Sequence, residues 1–375
     1  MMNEHTTPPT PQGDAPFPSP VDWAAWEQEH FVPLVQAAEA AGSDRFAWLL
    51  AVVLWDTKLP SLSLDDWSVV ADRGLRAVRR LGDRAGEARL LECVGMGHAR
   101  VNRLTESLHC HQQALEIRSE LGDRRGEASS TNLLGIVHLH RRELSAAEEH
   151  FTRARALFEE LGDRHRAAMA LANLSSTRCA AGRVDEAEAD ARRALEAHRA
   201  LGARRSVGNA LRQLSVIHRE RGETEAALAC AEEAVALAVD LRSEALEGYW
   251  LLALGKAQRA AGRAEEALAS FHRAADLHAR SGNRSREAMA WQAVAQVLLD
   301  RGQRSEAADL AGRAASAHRG LDDPWHEALA LACLADATPG EESQGHRERA
   351  LELLSRYPDE RAAALRRTLG EGGLR

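Results

Sequence analysis

Apolar and polar residues along most of the chain follow the three-to-four-residue rhythm of amphipathic helices, and that rhythm restarts every 40 residues. The triplet Leu81-Gly82-Asp83 returns as Leu121-Gly122-Asp123 and Leu161-Gly162-Asp163. It then varies as Leu201-Gly202-Ala203, Leu241-Arg242-Ser243, Ser281-Gly282-Asn283 and Leu321-Asp322-Asp323. Glycine closes one helix in the left-handed conformation, and Asp, Ser or Asn accepts amide hydrogens at the start of the next, so each triplet predicts a turn between helices. Halfway along, Gly182, Gly222, Gly262 and Gly302 recur, with Asn102 in the corresponding place of the first unit. Each unit is expected to be a helix, a tight turn and a second helix. No proline stands between Pro60 and Pro324, which favours uninterrupted helices across this stretch.

Counting positions within a unit from Ala88, Ala128, Ala168, Gly208, Gly248, Ala288 and Ala328, position seven is always apolar, as in Leu134 and Leu254. Position eight is always small, as in Gly95, Gly135, Ser175 and Gly255. Position twenty-seven is alanine in six units, from Ala114 to Ala314. Small residues there let paired helices approach closely. With Phe151 and Phe271 between the alanines, and Trp291-x-x-Val294-Ala295 in the sixth unit, residues 84–320 resemble the tetratricopeptide repeat signature. HEAT-type repeats share the period but are not expected to place small residues at these positions. The resemblance implies an all-α fold, a right-handed α-solenoid of about seven to eight helical hairpins with irregular amino- and carboxy-terminal caps.

Four segments are expected: a disordered Pro-rich tail over 1–20, an irregular helical cap over 21–83, six 40-residue units over 84–323, and a degenerate repeat with a terminal cap over 324–375. In the second segment, Val21–Ala41, Asp44–Trp55 and Asp65–Leu81 read as helices, with Trp23, Trp26, Trp48, Trp55 and Trp67 packing between them. The stretch Trp48-Leu-Leu-Ala-Val-Val-Leu-Trp55, then Asp66-Trp67, then Leu81-Gly-Asp-Arg-Ala-Gly-Glu-Ala88 is similar to the carboxy-terminal tetratricopeptide region of actinobacterial AfsR-like STAND regulators. That resemblance implies a sensor or adaptor role. It does not carry over the nucleotide-binding or DNA-binding modules of the family, which nothing in the sequence matches.

Composition narrows the chemistry further. A net charge of −8 and a pI near 6.1 argue against a nucleic-acid or acidic-membrane binder. Lys58 and Lys256 are the only lysines among 48 basic residues, and neither stands in a phosphate-binding Gly-x-x-x-x-Gly-Lys-Ser/Thr loop, so nucleotide hydrolysis of that type is excluded. Cys93, Cys110, Cys179, Cys230 and Cys333 form no Cys-x-x-Cys pair and read as reduced thiols. With no apolar run long enough to span a membrane and no signal-peptide pattern, a cytoplasmic location is expected.

Catalytic and metal sites find no support. His109-x-His111 and His138-x-His140 point in different directions on a helix. His98, His138 and His218 share a packing position, and His198, His278 and His318 sit late in second helices, where an imidazolium suits the helix dipole. Tandem acids such as Asp185-Glu186 and Glu265-Glu266 stand early in helices, where a negative charge is favourable. No catalytic residue, cofactor or metal ligand is assigned.

The informative face is formed by positions two, five, nine and twelve of the first helix in each unit, opposite its apolar stripe. The fourth unit places Asn209, Arg212 and Arg219 there, with Gln213 beside them; the fifth places Tyr249, Lys256 and Arg259. Flanking units add Asn132, Asn173, Gln292 and Gln296, whose amides suit an extended peptide backbone. The expectation is a non-enzymatic adaptor or sensor that binds a peptide, protein or small ligand in a concave groove. Its partner is expected to be acidic, and no direct nucleic-acid or membrane contact is expected. The alternative is an auxiliary or catalytic protein of a biosynthetic pathway that uses the groove as a pocket for a small molecule or carrier protein. A closed pocket with convergent titratable groups favours the second, and an open groove the first.

Overall fold

A computed structural model describes residues 32–57 and 64–371. The tail expected over 1–20, the first part of the helix expected from Val21, and Trp23 and Trp26 lie outside the described residues. Within them every regular element is a helix. The first three are α1 (32–40), α2 (Asp44–Thr57) and α3 (Leu64–Leu81). Helices α4 (Arg84–Arg100) and α5 (Leu104–Glu120) follow, and then come hairpins of α6 (Arg124–His140) with α7 (Leu144–Glu160) and α8 (Arg164–Ala180) with α9 (Val184–Ala200). The others are α10 (Arg204–Glu220) with α11 (Thr224–Asp240), α12 (Glu244–Ala260) with α13 (Ala264–Arg280), and α14 (Arg284–Asp300) with α15 (Arg304–Gly320). The chain ends in α16 (Pro324–Ala337), α17 (Gly340–Leu354) and α18 (Glu360–Gly370). The fold is an all-α solenoid.

Two compact units are present, one up to Gly97 and one from His98. In the first, the Trp55 and Trp67 rings lie 5.0 Å apart and Trp67 is buried. Gly97 admits the Trp67 indole, since a Cβ there would stand 2.8 Å from Nε1. Arg80 reaches Asp44 with both Nε and Nη2, tying the end of α3 to the start of α2.

In the second unit the turn chemistry follows the triplets. Asp123, Asp163, Asn283 and Asp323 each accept an amide hydrogen from the residue three further on. Ser243 departs from this pattern: its backbone is more extended, with φ −113°, and its hydroxyl makes no capping bond. Close helix approach explains the small residue at position eight. A Cβ on Gly135 would stand 2.7 Å from the Phe151 ring, and one on Gly255 would stand 2.5 Å from Phe271.

The late-helix histidines differ from expectation. His198, His278 and His318 are almost fully buried, and burial pushes each imidazole down to about 4. They are neutral packing residues, because the desolvation of an imidazolium outweighs its attraction to the helix dipole. His218 and His138 instead place Nδ1 against Glu223 and Glu143, at 2.5 and 2.6 Å.

The second unit also curls back on itself. Asn102 Nδ2 donates to the backbone carbonyls of Leu321 and Asp322, 3.1 and 2.7 Å away, so the turn that ends α4 meets the turn that follows α15. Arg142, between α6 and α7, reaches Asp359 at the start of α18 through Nη2 and Nε, at 2.6 and 3.1 Å. These contacts bring α16 and α18 opposite the inner faces of α10, α12 and α14.

Candidate functional site

The residues that build the site come first from the regular spacing of helices. On α10, Arg212 and Arg219 are two turns apart, and on α12 Lys256 and Arg259 are three residues apart, so each pair shares a face. On α14 the same face carries Gln292 and Gln296. These three helices line a cavity of about 640 Å³. Trp325, His326 and Leu329 of α16 and Arg361 and Leu365 of α18 complete its wall.

Of the candidate residues, Arg212, Arg219, Tyr249, Lys256, Arg259, Gln292 and Gln296 line this cavity. The other four are placed elsewhere. Asn173 Nδ2 donates to Asn132 Oδ1 at 3.2 Å, so these two amides engage each other. Asn209 Oδ1 accepts from the Trp250 indole at 3.0 Å, and Gln213 is buried within the helix packing. Arg142, Arg286 and Arg361 line the cavity as well, and the sequence pattern alone does not single them out. A signal exists for Arg142: it interrupts the glycine column of the intra-unit turns and takes their left-handed conformation, φ 58°. Arg286 sits three residues, about one helical turn, before the first counted position of the face, and Arg361 belongs to a helix outside the 40-residue register.

Arginine–aromatic stacking organises the interior. The Arg212 and Arg286 guanidiniums lie over the Tyr249 ring at 4.9 and 4.7 Å, and Arg142 lies over Trp325 at 3.6 Å. The positive field, mainly from Arg212, lowers the Tyr249 phenol below its usual value. Lys256 is pushed down to about 7, first by burial and then by Arg219, Arg286, Arg361 and Arg212 around it. Arg219 is also lowered, chiefly by burial.

Carboxylates offset this charge only in part. Arg259 pairs with Asp300 through Nε at 2.6 Å and Nη2 at 3.0 Å, and Arg142 with Asp359. Arg219 and Arg361 share Glu220, at 3.2 and 3.5 Å. Arg212, Lys256 and Arg286 have no carboxylate partner among the described residues, and Arg212 Nε is buried without a hydrogen bond. Chemically, the arrangement suits an anion: guanidiniums present paired donors to phosphate or carboxylate oxygens, and Leu252, Met289 and Leu365 supply apolar surface beside them.

Beside the cavity, His318, Asp323 and His326 bring three potential metal-ligand atoms within 4.8 Å of one another. The Asp323 carboxylate already has two tasks: Oδ1 caps α16 and Oδ2 meets His326 Nδ1 at 2.8 Å. The buried histidine of this trio repeats that of His198 and His278, which stand in no such cluster among the described residues. Capping and packing account for the group.

No curated protein matches the chain. Residues 86–160 and 166–238 match the family model of the tetratricopeptide repeat. Among solved structures the chain is similar to the Rap conjugation gene regulator of the plasmid pLS20 in complex with the Phr peptide. The TM-score is 0.66 at 12% identity, over 87% of this chain and 94% of that one. It is also similar to a Rap protein complexed with competence and sporulation factor, with TM-score 0.59 and 12% identity over 88% and 99% of the two chains. A STAND protein with a tetratricopeptide repeat sensor from Pyrococcus horikoshii gives TM-score 0.53 at 16% identity, over 92% of this chain. The chain spans 52% of that protein's length. At these identities the similarity is one of fold. The 40-residue register, the paired helices with small residues at their crossings and the family match together identify residues 86–160 and 166–238 as tetratricopeptide repeats.

Proposed function

We propose that the protein is a non-enzymatic adaptor or sensor whose inner face binds an anionic ligand or an acidic segment of a partner. Solenoids of helical repeats generate concave binding surfaces, and solved structures of similar fold include two described as complexes with a peptide or factor. The observation that carries the reading is the convergence of Arg212, Lys256 and Arg286, none with a carboxylate partner among the described residues, on one cavity. Such a cluster is costly to hold together without an anion and recognises one readily.

The test is to compare what wild-type protein and the Arg212→Gln, Lys256→Gln double variant retain from an extract of the native host, using mass spectrometry of both small molecules and proteins. Wild type is expected to enrich an acidic species that is lost in the variant and released by salt, with circular dichroism unchanged. Equal retention by both proteins, or binding indifferent to salt, would remove the groove cations from the function.

One observation favours the second reading, an auxiliary protein of a biosynthetic pathway: the cavity is walled by α16 and α18 instead of running open along the array. Conversion of the retained species on incubation with the protein would decide for it.

A further inference from the structure

This inference rests on the proposed anionic site and concerns what fills it. Positions counted from sequence suggest an open groove with a ladder of amides for a peptide backbone. The structure places four of those residues outside the cavity: Asn132 and Asn173 bond each other, Asn209 accepts from the Trp250 indole, and Gln213 is buried. The cavity lined by the cations measures about 640 Å³, the size of a small-molecule pocket.

One wall of that space is α18, a helix of 11 residues in which Ala362 and Leu369 are the buried side chains. Ala362 and Leu369 pack it on the core of Trp325, Leu353 and Leu354, and polar contacts hold its first turns. Asp359 caps it and receives Arg142, and Arg366 donates from Nη1 to the carbonyls of Leu354 and Tyr357 at 2.7 and 2.9 Å. From this wall Arg361 faces Arg219 and Lys256, and its carboxylate partner Glu220 is shared with Arg219. The fold therefore holds a cationic helix against a cationic groove. Like charges so placed repel, and an anion between them reverses the sign of the interaction.

We propose that the cavity takes a compact anion bearing two or more phosphate or carboxylate groups, and that this anion bridges Arg361 of α18 to Arg219, Lys256 and Arg212 of the groove, locking α18 in place. The apolar lining from Leu252, Met289 and Leu365 leaves room for a small nonpolar part between the charged groups. Binding then has a structural consequence at the carboxy-terminal helix, which is how an occupied site is reported to a partner. A bound anion would favour the charged form of Lys256, which burial and the surrounding arginines push down to about 7.

The experiment uses the full chain at low ionic strength with pyrophosphate and citrate as probes and hexaglutamate as the extended contrast. Calorimetric titration is expected to show one equivalent of pyrophosphate or citrate bound per chain. Arg361→Gln and Lys256→Gln are each expected to weaken it at least about tenfold, with helicity and melting retained. Hydrogen exchange of residues 360–370 is expected to slow several-fold when the anion is added to wild type, a readout that does not depend on any variant folding. Pyrophosphate alone binding assigns the site to phosphates, citrate alone to carboxylates, and either result supports the proposal. Binding that is equally tight in Arg361→Gln, or that leaves exchange at 360–370 unchanged, overturns it. Hexaglutamate binding where neither small anion binds also overturns it, while leaving the broader anionic site intact. Failure of all three probes overturns both.

Discussion

Arg142 stands where Gly182, Gly222, Gly262 and Gly302 stand in later units, and it keeps their left-handed backbone at φ 58°. That conformation costs an L-residue about 1–2 kcal/mol, so the side chain must return more. It does so through a paired contact with Asp359 in which both side chains are about nine-tenths buried, and through stacking on Trp325. Breaking a buried pair by removing one partner typically costs about 3–5 kcal/mol, which exceeds the strain relieved. Arg142→Gly is therefore expected to loosen α18, seen as faster hydrogen exchange at 360–370, while the hairpins far from it keep their protection. Unchanged exchange there would show that Arg142 does not anchor α18. Packing residues give the opposite pattern, because their loss is felt along the array. Leu134→Ala removes a side chain 2% exposed and is expected to cost about 2–5 kcal/mol in denaturant unfolding. Gly255→Ala forces a methyl to within 2.5 Å of Phe271 and is expected to cost about 1–3 kcal/mol by overpacking. Losses below about 0.5 kcal/mol would mean that these residues lie on the surface.

Between elements, ion pairs recur 36 residues apart. Arg124 pairs with Glu160, Arg204 with Asp240 and Arg280 with Glu244, while Arg301 reaches back to Glu265 and Arg221 to Asp185. The tandem acids at helix starts thus meet arginines of the following unit as well as their own helix dipoles. The members of these pairs are mostly exposed, so they fix register more than they supply stability. The buried histidines weigh more in acid. His111, His198, His278 and His318 are each held near 4 by burial, whereas the unfolded chain titrates near 6.5. A depressed folded value means that stability is fully present above about 6.5 and is lost as pH falls toward 4, by up to about 1.4 kcal/mol per pH unit for each histidine. Denaturant midpoints are expected to fall between pH 6.5 and 4.5, before most carboxylates titrate. A midpoint flat across that window would show these imidazoles to be ordinary in titration.

At the scale of the whole second unit, curling brings charges from separate hairpins to one place. Lys256 on α12 faces Arg212 and Arg219 on α10, Arg286 on α14 and Arg361 on α18, with Asp300 and His326 in the same cavity lining. Burial and these cations push its ammonium down to about 7, and a bound anion holds the proton to higher pH. Anion affinity is therefore expected to be constant below about 7 and to weaken as pH rises above it, by up to tenfold per unit, as calorimetry at pH 6, 7 and 8 will show. In Lys256→Gln the slope is expected to disappear. A slope that persists would assign the proton to another group or to the anion itself.

The sequence by itself determined the local structure. Helix, turn and helix follow from glycine columns, capping residues and the small position eight, all of which act within one or two turns of chain, and the described helices begin and end where these signals stand. It also marked Arg212, Arg219, Lys256 and Arg259, because helical spacing is enough to put each pair on one face. Tertiary structure decided the rest. Whether a polar residue on that face is free depends on its neighbour in the next unit: Asn209 is taken by Trp250, and Asn132 by Asn173, in each case about 41 residues away. The ionisation of the late-helix histidines depends on burial, which no helix sets alone. Closure of the site depends on the curvature summed over several hairpins, through which residues 217 positions apart, Arg142 and Asp359, meet and α18 comes to lie over the inner face. A small rotation per repeat is invisible in any one unit, yet accumulated it turns an open groove into a cavity.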